Sequence, residues 1–150
     1  TRKACEKFKH TPVSIMNFLE GTRFTKQKHD RQQSPYQHLL KPKAAGMAYA
    51  LNIMGERIDT LVDITIHYPE GRPNFWEFMS GKSKHIDIHI QTRPIPAEFN
   101  RGDYENDEVF RKNFQTWINQ LWQDKDKLLG EMAKRYSQPL QNIIEFKKAS

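Results

Sequence analysis

A nearly continuous apolar run, Val13 to Leu19, feeding directly into Glu20-Gly21-Thr22-Arg23, constrains this chain more than any other feature. An unbroken apolar segment of that length reads as a strand covered on both faces, which is how strands of parallel sheets look. Such a strand requires layers above and below it. The turn that follows brings a carboxylate, a glycine, a hydroxyl and a guanidinium together. Backbone N–H groups, a Thr hydroxyl and an Arg fork are what recognition of a phosphate-like anion needs. Four residues also recur by chance, and a surface turn carrying a solvated Arg is the competing reading.

Further along, Ala44 to Ile53 is rich in small and straight-chain residues, with Gly55 as a helix stop. Leu61 to Tyr68 then alternates, placing Val62, Ile64, Ile66 and Tyr68 on one face. Strand, helix and strand in that order predict a right-handed parallel βαβ crossover. The fold class expected is therefore α/β, a parallel βαβ-containing sheet flanked by helices. Glu20 to Arg23 would then lie at the carboxyl end of a parallel strand, where such sheets bind ligands.

Residues 1–10 read as the end of a helix stopped before Pro12, and Thr25 to Lys43 as a basic loop broken at Ser34-Pro35. Asn74 to Met79 is a short aromatic segment closed by Gly81. Lys84 to Gln91 alternates strictly, with Ile86, Ile88 and Ile90 expected to face a core. From Asp107 to about Ser137, Phe110, Phe114, Trp117, Leu121, Leu128 and Met132 share one helical stripe. That stripe reads as core, with a lipid- or partner-binding surface as the alternative.

The stretch Asn17 to Gly46 resembles the glycerophospholipid acyltransferases, specifically the 1-acylglycerol-3-phosphate (lysophosphatidate) type. Phe18-Leu19-Glu20-Gly21-Thr22-Arg23 is similar to that family's Phe-Pro-Glu-Gly-Thr-Arg block, with Leu19 in place of the usual proline. Phe24-Thr25-Lys26-Gln27-Lys28-His29 is similar to a Phe-Thr-x-x-Lys-His tail found in one branch. Leu39 to Gly46 looks like the basic Leu-Leu-Pro-x-x-x-Gly segment, and Val62 to Pro69 stands in the place of the last, looser block. The resemblance covers about residues 13–73.

The resemblance implies direct acyl transfer. A histidine paired with an aspartate removes the proton from an acceptor's glycerol hydroxyl, which attacks a thioester on coenzyme A or acyl carrier protein. The lysophospholipid acceptor's phosphate would be held by Glu20, Gly21, Thr22 and Arg23, with Lys43 as a second contact. Arg23 is the clamp, and Glu20 orients Arg23 or the turn backbone. The family's His-x-x-x-x-Asp block is absent. The fifth positions after His10, His29, His38, His67, His85 and His89 are Ile15, Ser34, Lys43, Arg72, Ile90 and Pro94. Residues 1–150 are thus expected to be the C-terminal portion of one truncated acyltransferase domain, ending in a long helical segment at about 104–150. It would be inactive alone, with no catalytic residue of its own.

Composition fits a piece of that kind. The longest mostly apolar stretch, Gly46 to Met54, is far short of the ~20 residues that span a bilayer. One cysteine, Cys5, excludes an internal disulfide and suits a reducing compartment. A net charge of +6 favours acidic partners, an anionic membrane surface among them. The expectation is a segment itself soluble, associated with the cytoplasmic face of a membrane, with no cofactor. A basic nucleic-acid or acidic-partner binding module is the alternative, permitted by the loop lysines and by Trp76, Trp117 and Trp122, though no recognition motif supports it. His85, Asp87 and His89 share a strand face. At ~3.3 Å per residue the two histidines stand ~13 Å apart, too far for one metal ion, so no metal is expected.

Overall fold

The Thr25 hydroxyl accepts a hydrogen bond from the Lys28 N–H (3.2 Å) and starts helix α1, Lys26–Gln32. Gln33 closes it in a left-handed conformation, φ 47°, just ahead of Ser34-Pro35. A short helix therefore stands inside what the sequence suggested was only a basic loop. The computed structural model describes residues 14–54 and 57–137. Helix α2, Ala45–Met54, buries Met47, Ala48, Leu51 and Met54, which helical periodicity gathers on one side. Strand β1, Thr60–His67, is followed by the five-residue helix α3, Phe75–Met79, and strand β2, Asp87–Pro94. A 3-10 turn at Ala97–Phe99 leads into α4, Glu108–Ser137, whose 30 residues run ~45 Å.

α4 is the spine of the core. Phe114 and Ile118 are fully buried on it, joined by Leu121 and Trp122, and they meet Leu19, Met47, Ala48, Leu51 and Phe99 from the rest of the chain. Phe99 stacks on Trp117 at 5.1 Å between centroids and meets Phe114 edge-on at 5.2 Å. The core reading of the aromatic stripe therefore holds, with Leu129 more deeply buried than Leu128.

The sheet departs from expectation. Among the described residues it has two strands, and β1 pairs antiparallel with β2, from Thr60 opposite Pro94 to His67 opposite Asp87. No parallel βαβ unit is shown. Residues 14–18 form no ladder, and Met16 and Phe18 are nearly four-fifths exposed; Val13 lies outside the described residues. An apolar run specifies a buried strand only when neighbours supply its backbone partners and cover, and here none of the described elements does so. Residues 1–10, Cys5 and Gly55 also lie outside the described residues.

The orientation of the strands is a second correction. Val62, Ile64 and Ile66 on β1, with Ile88 and Ile90 on β2, form an exposed apolar face, and Ile86 beside it is exposed as well. α4 covers the opposite, polar face. Lys125 pairs with Asp63 at 2.5 Å and donates to the Ile64 carbonyl at 2.9 Å. Arg93 meets Asp124 at 2.9 Å, and Tyr136 donates to Asp87 at 2.7 Å. Alternation shows that a strand has two unlike faces but not which one receives the helix.

Candidate functional site

Gly21 takes φ +66° and donates its N–H to the Phe18 carbonyl at 2.9 Å, closing a tight turn that a side chain at that position would strain. The turn is tied to the segment entering α2 by the Lys43 N–H, which donates to the Leu19 carbonyl at 2.7 Å. That tie lays the Lys43 side chain over Gly21, its Nζ 3.6 Å from where a β-carbon would stand. Lys28, one turn into α1, returns its ammonium to the Thr22 hydroxyl (2.6 Å) and the Arg23 carbonyl (3.2 Å). Because the Thr22 oxygen accepts from Lys28, its own proton is free to be donated outward.

Glu20 points elsewhere. Its half-buried carboxylate accepts from the Leu40 N–H at 3.1 Å, fixing the backbone that Trp122 grips from the other side through Nε1–H to the Leu40 carbonyl at 3.0 Å. Burial pushes the Glu20 carboxyl above its ordinary value, while the Leu40 N–H, Arg72 and Lys125 pull it partly back. Arg72 arrives from the β1–α3 connection. Its guanidinium donates to the Phe24 carbonyl at 3.1 Å and lies 4.7 Å above the Phe24 ring. The Arg23 side chain is exposed and makes no hydrogen bond or ion pair with the described residues.

The structure thus brings Gly21, Thr22, Arg23 and Lys43 to one turn and places Glu20 beneath it as a brace of the backbone. Lys28 and Arg72 are additions. Lys28 was visible in the sequence as the lysine of the Phe-Thr-x-x-Lys-His tail, but its contact with Thr22 was not, and a capped helix sets its position. Arg72 had no local signal at all, since it reaches Phe24 across 48 positions of sequence.

His29 sits beside this turn, with Nε2 at 2.6 Å from the Tyr36 carbonyl, so that nitrogen carries the proton. The Tyr36 carbonyl, then the Asp30 carboxylate, raise its pKa. Just beyond the sheet His85 contacts Glu70 at 2.9 Å, and on it Asp87 takes the Tyr136 hydroxyl with His67 at 3.8 Å. Among the described residues no group of three or more His, Cys, Asp or Glu side chains is arranged to hold a metal ion.

The turn thus gathers cationic and hydroxyl donors while the Glu20 carboxylate is turned inward, a donor set suited to an anion. The chain is 25% identical to lysocardiolipin acyltransferase 1 of Gallus gallus over 150 aligned positions, covering 90% of this chain and 37% of that protein. It is 29% identical to 2-acyl-1-lysophosphatidylinositol acyltransferase of Saccharomyces cerevisiae, covering 80% and 33%. It is 28% identical to 1-acyl-sn-glycerol-3-phosphate acyltransferase delta of Mus musculus, covering 75% and 30%. The chain spans about a third of the length of these curated relatives. No family model and no solved structure matches it. The chain is similar to these phospholipid acyltransferases over 75–90% of its length, so the likeness extends well beyond the blocks at residues 13–73.

Proposed function

We propose that this chain is the acceptor-binding portion of a phospholipid acyltransferase, holding the phosphate of a lysophospholipid at the Gly21–Arg23 turn. The reaction it serves moves an acyl group from acyl-coenzyme A or acyl carrier protein to the free hydroxyl of a 1-acylglycerol-3-phosphate-like acceptor. Residues 1–150 are the C-terminal portion of one catalytic domain. The base and its aspartate belong to a His-x-x-x-x-Asp block that these 150 residues do not contain. The observation carrying this reading is the convergence of Lys28 and Lys43 on a turn whose Arg23 is unengaged and whose Glu20 is turned away.

In this arrangement Arg23 donates two parallel N–H bonds to phosphate oxygens, and Thr22 adds one O–H bond. Lys43 supplies a second positive charge across the turn. Fixing a remote phosphate places the glycerol hydroxyl beside the base and makes an encounter into a positioned reaction. The acceptor's acyl chain sits in a bilayer, so the domain works against a membrane. Its cytoplasmic orientation rests on the single-cysteine composition.

The test is a calorimetric titration with a short-chain lysophosphatidate below its micellar concentration. The wild-type chain is expected to bind it and to ignore the uncharged monoacylglycerol. Arg23→Ala should weaken binding about tenfold to a hundredfold, at roughly 1.5–3 kcal/mol per charged hydrogen bond. Equal affinity in wild type and Arg23→Ala would remove the clamp.

A further inference from the structure

α3 is built to expose rather than to bury. Of its five residues, Phe75, Trp76, Phe78 and Met79 are exposed, at 68%, 78%, 52% and 65%. The fifth, Glu77, folds its carboxylate back onto the Asn74 N–H at 2.9 Å, while its own N–H is taken by the Asn74 side chain. This capping box spends the only polar side chain of the helix on its first turn and leaves an apolar, aromatic tip.

The tip stands on a fixed stem. At its base Glu70 accepts from the Lys84 N–H at 2.8 Å and meets the His85 ring at 2.9 Å, closing the loop just beyond the β1–β2 ladder. On the way out, Arg72 locks the chain to Phe24. Aromatic exposure on a loop held this firmly is not the by-product of a loose segment. Basic side chains flank the tip: Lys82 and Lys84 follow it, and Arg72 ties it to the turn bearing Arg23 and Lys43.

We propose that α3 is a bilayer-docking element that seats Phe75, Trp76, Phe78 and Met79 at the headgroup level of an anionic membrane. Trp and Phe side chains partition to that interface, and neighbouring lysines and arginines add attraction to anionic headgroups. A chain of net charge +6 has the complementary sign. The Arg72 anchor sets the docked helix beside the phosphate turn, so a lysophospholipid can present its phosphate to Arg23 while its acyl chain stays in the bilayer. This inference rests on the acceptor-phosphate reading above.

The experiment uses the 150-residue chain with vesicles of phosphatidylcholine alone and of phosphatidylcholine mixed with phosphatidylglycerol. Sedimentation should show binding that is stronger on the mixed vesicles and falls with salt. Lipid brominated at shallow acyl positions should quench a part of the tryptophan emission, and that quenching should vanish in Trp76→Phe while binding persists. The double variant Phe75→Ser/Trp76→Ser should partition at least about tenfold more weakly. It should still bind the short-chain lysophosphatidate as the wild type does. The proposal is overturned if the wild-type chain does not sediment with mixed vesicles, if the double variant sediments equally, or if shallow quenching survives in Trp76→Phe. Vesicle-free self-association lost in the double variant would make the tip a contact between copies and likewise overturn it. Docking through Trp76 without binding of the short-chain acceptor would fell the phosphate site and leave the docking element standing.

Discussion

Glu20 is the carboxylate adjoining the Gly21–Arg23 turn, and its placement bears directly on the proposal that this turn holds a phosphate. Turned outward it would repel the ligand. Turned inward it braces Leu40, at the cost of partial burial that raises its pKa above the ordinary 4.5. A folded-state pKa raised above the unfolded value gives stability that is complete below the unfolded pKa and lost as pH rises through the folded one. Glu20→Gln keeps an oxygen for the Leu40 N–H and removes the ionisation. Urea midpoints should therefore show Glu20→Gln gaining on wild type at about pH 7 and not at about pH 4. A variant less stable than wild type at both values would mean that the charge itself holds the turn. Arg23 is the converse case, exposed and unengaged, so substituting it should leave folding untouched. Arg23→Lys should restore acceptor binding only in part, since an ammonium cannot offer two parallel N–H donors; full restoration in the same titration would reduce Arg23 to a point charge. These side chains were legible in sequence because Glu-Gly-Thr-Arg is local. Lys43 joined them through one motif further on. Arg72 was not legible, because nothing near it in sequence encodes the contact with Phe24.

At the scale of elements, α2, β1, β2 and α4 were readable within a few residues, because each carries its own periodicity. Helix α1 was missed because its polar, basic composition hides a Thr25 cap and buries no residue. The larger miss was the sheet. Apolar alternation in β1 and β2 announced strands, but partner and direction are decided by what else packs there, and the polar face won α4 through Asp63, Asp87 and Arg93. This reversal is testable by stability. Phe114→Ala, at a fully buried position between Phe99 and Trp117, should cost about 3–5 kcal/mol. Ile90→Ser, on the exposed face at 62% exposure, should stay within about 0.5 kcal/mol. Thermal and urea unfolding of both variants would check the pair. A loss of several kcal/mol in Ile90→Ser would mean that the face is covered.

Over the whole molecule, the long helix α4 ties the Gly21–Arg23 turn to the sheet: Trp122 holds the Leu40 backbone beneath Glu20, and Lys125 holds Asp63 on β1. What the described residues do not bring to the turn is a base. His29 is adjacent, yet its Nε2–H is given to the Tyr36 carbonyl and its Nδ1 faces the Asp30 carboxylate at 3.3 Å, so both ring nitrogens are already engaged. The other described histidine beside an aspartate is His67, whose Nδ1 stands 3.8 Å from Asp87; its side chain is only 16% exposed, on the face that α4 covers. No histidine of the sequence has an aspartate five positions on. The 150-residue chain mixed with oleoyl-coenzyme A and lysophosphatidate should therefore release thiol no faster than the blank, while still binding the acceptor. Turnover in the usual enzyme range of ~1–1000 per second would overturn this. If His67→Gln then abolished that turnover with acceptor binding intact, the sheet-face pair with Asp87 would be the base, and residues 1–150 would hold a complete catalytic site.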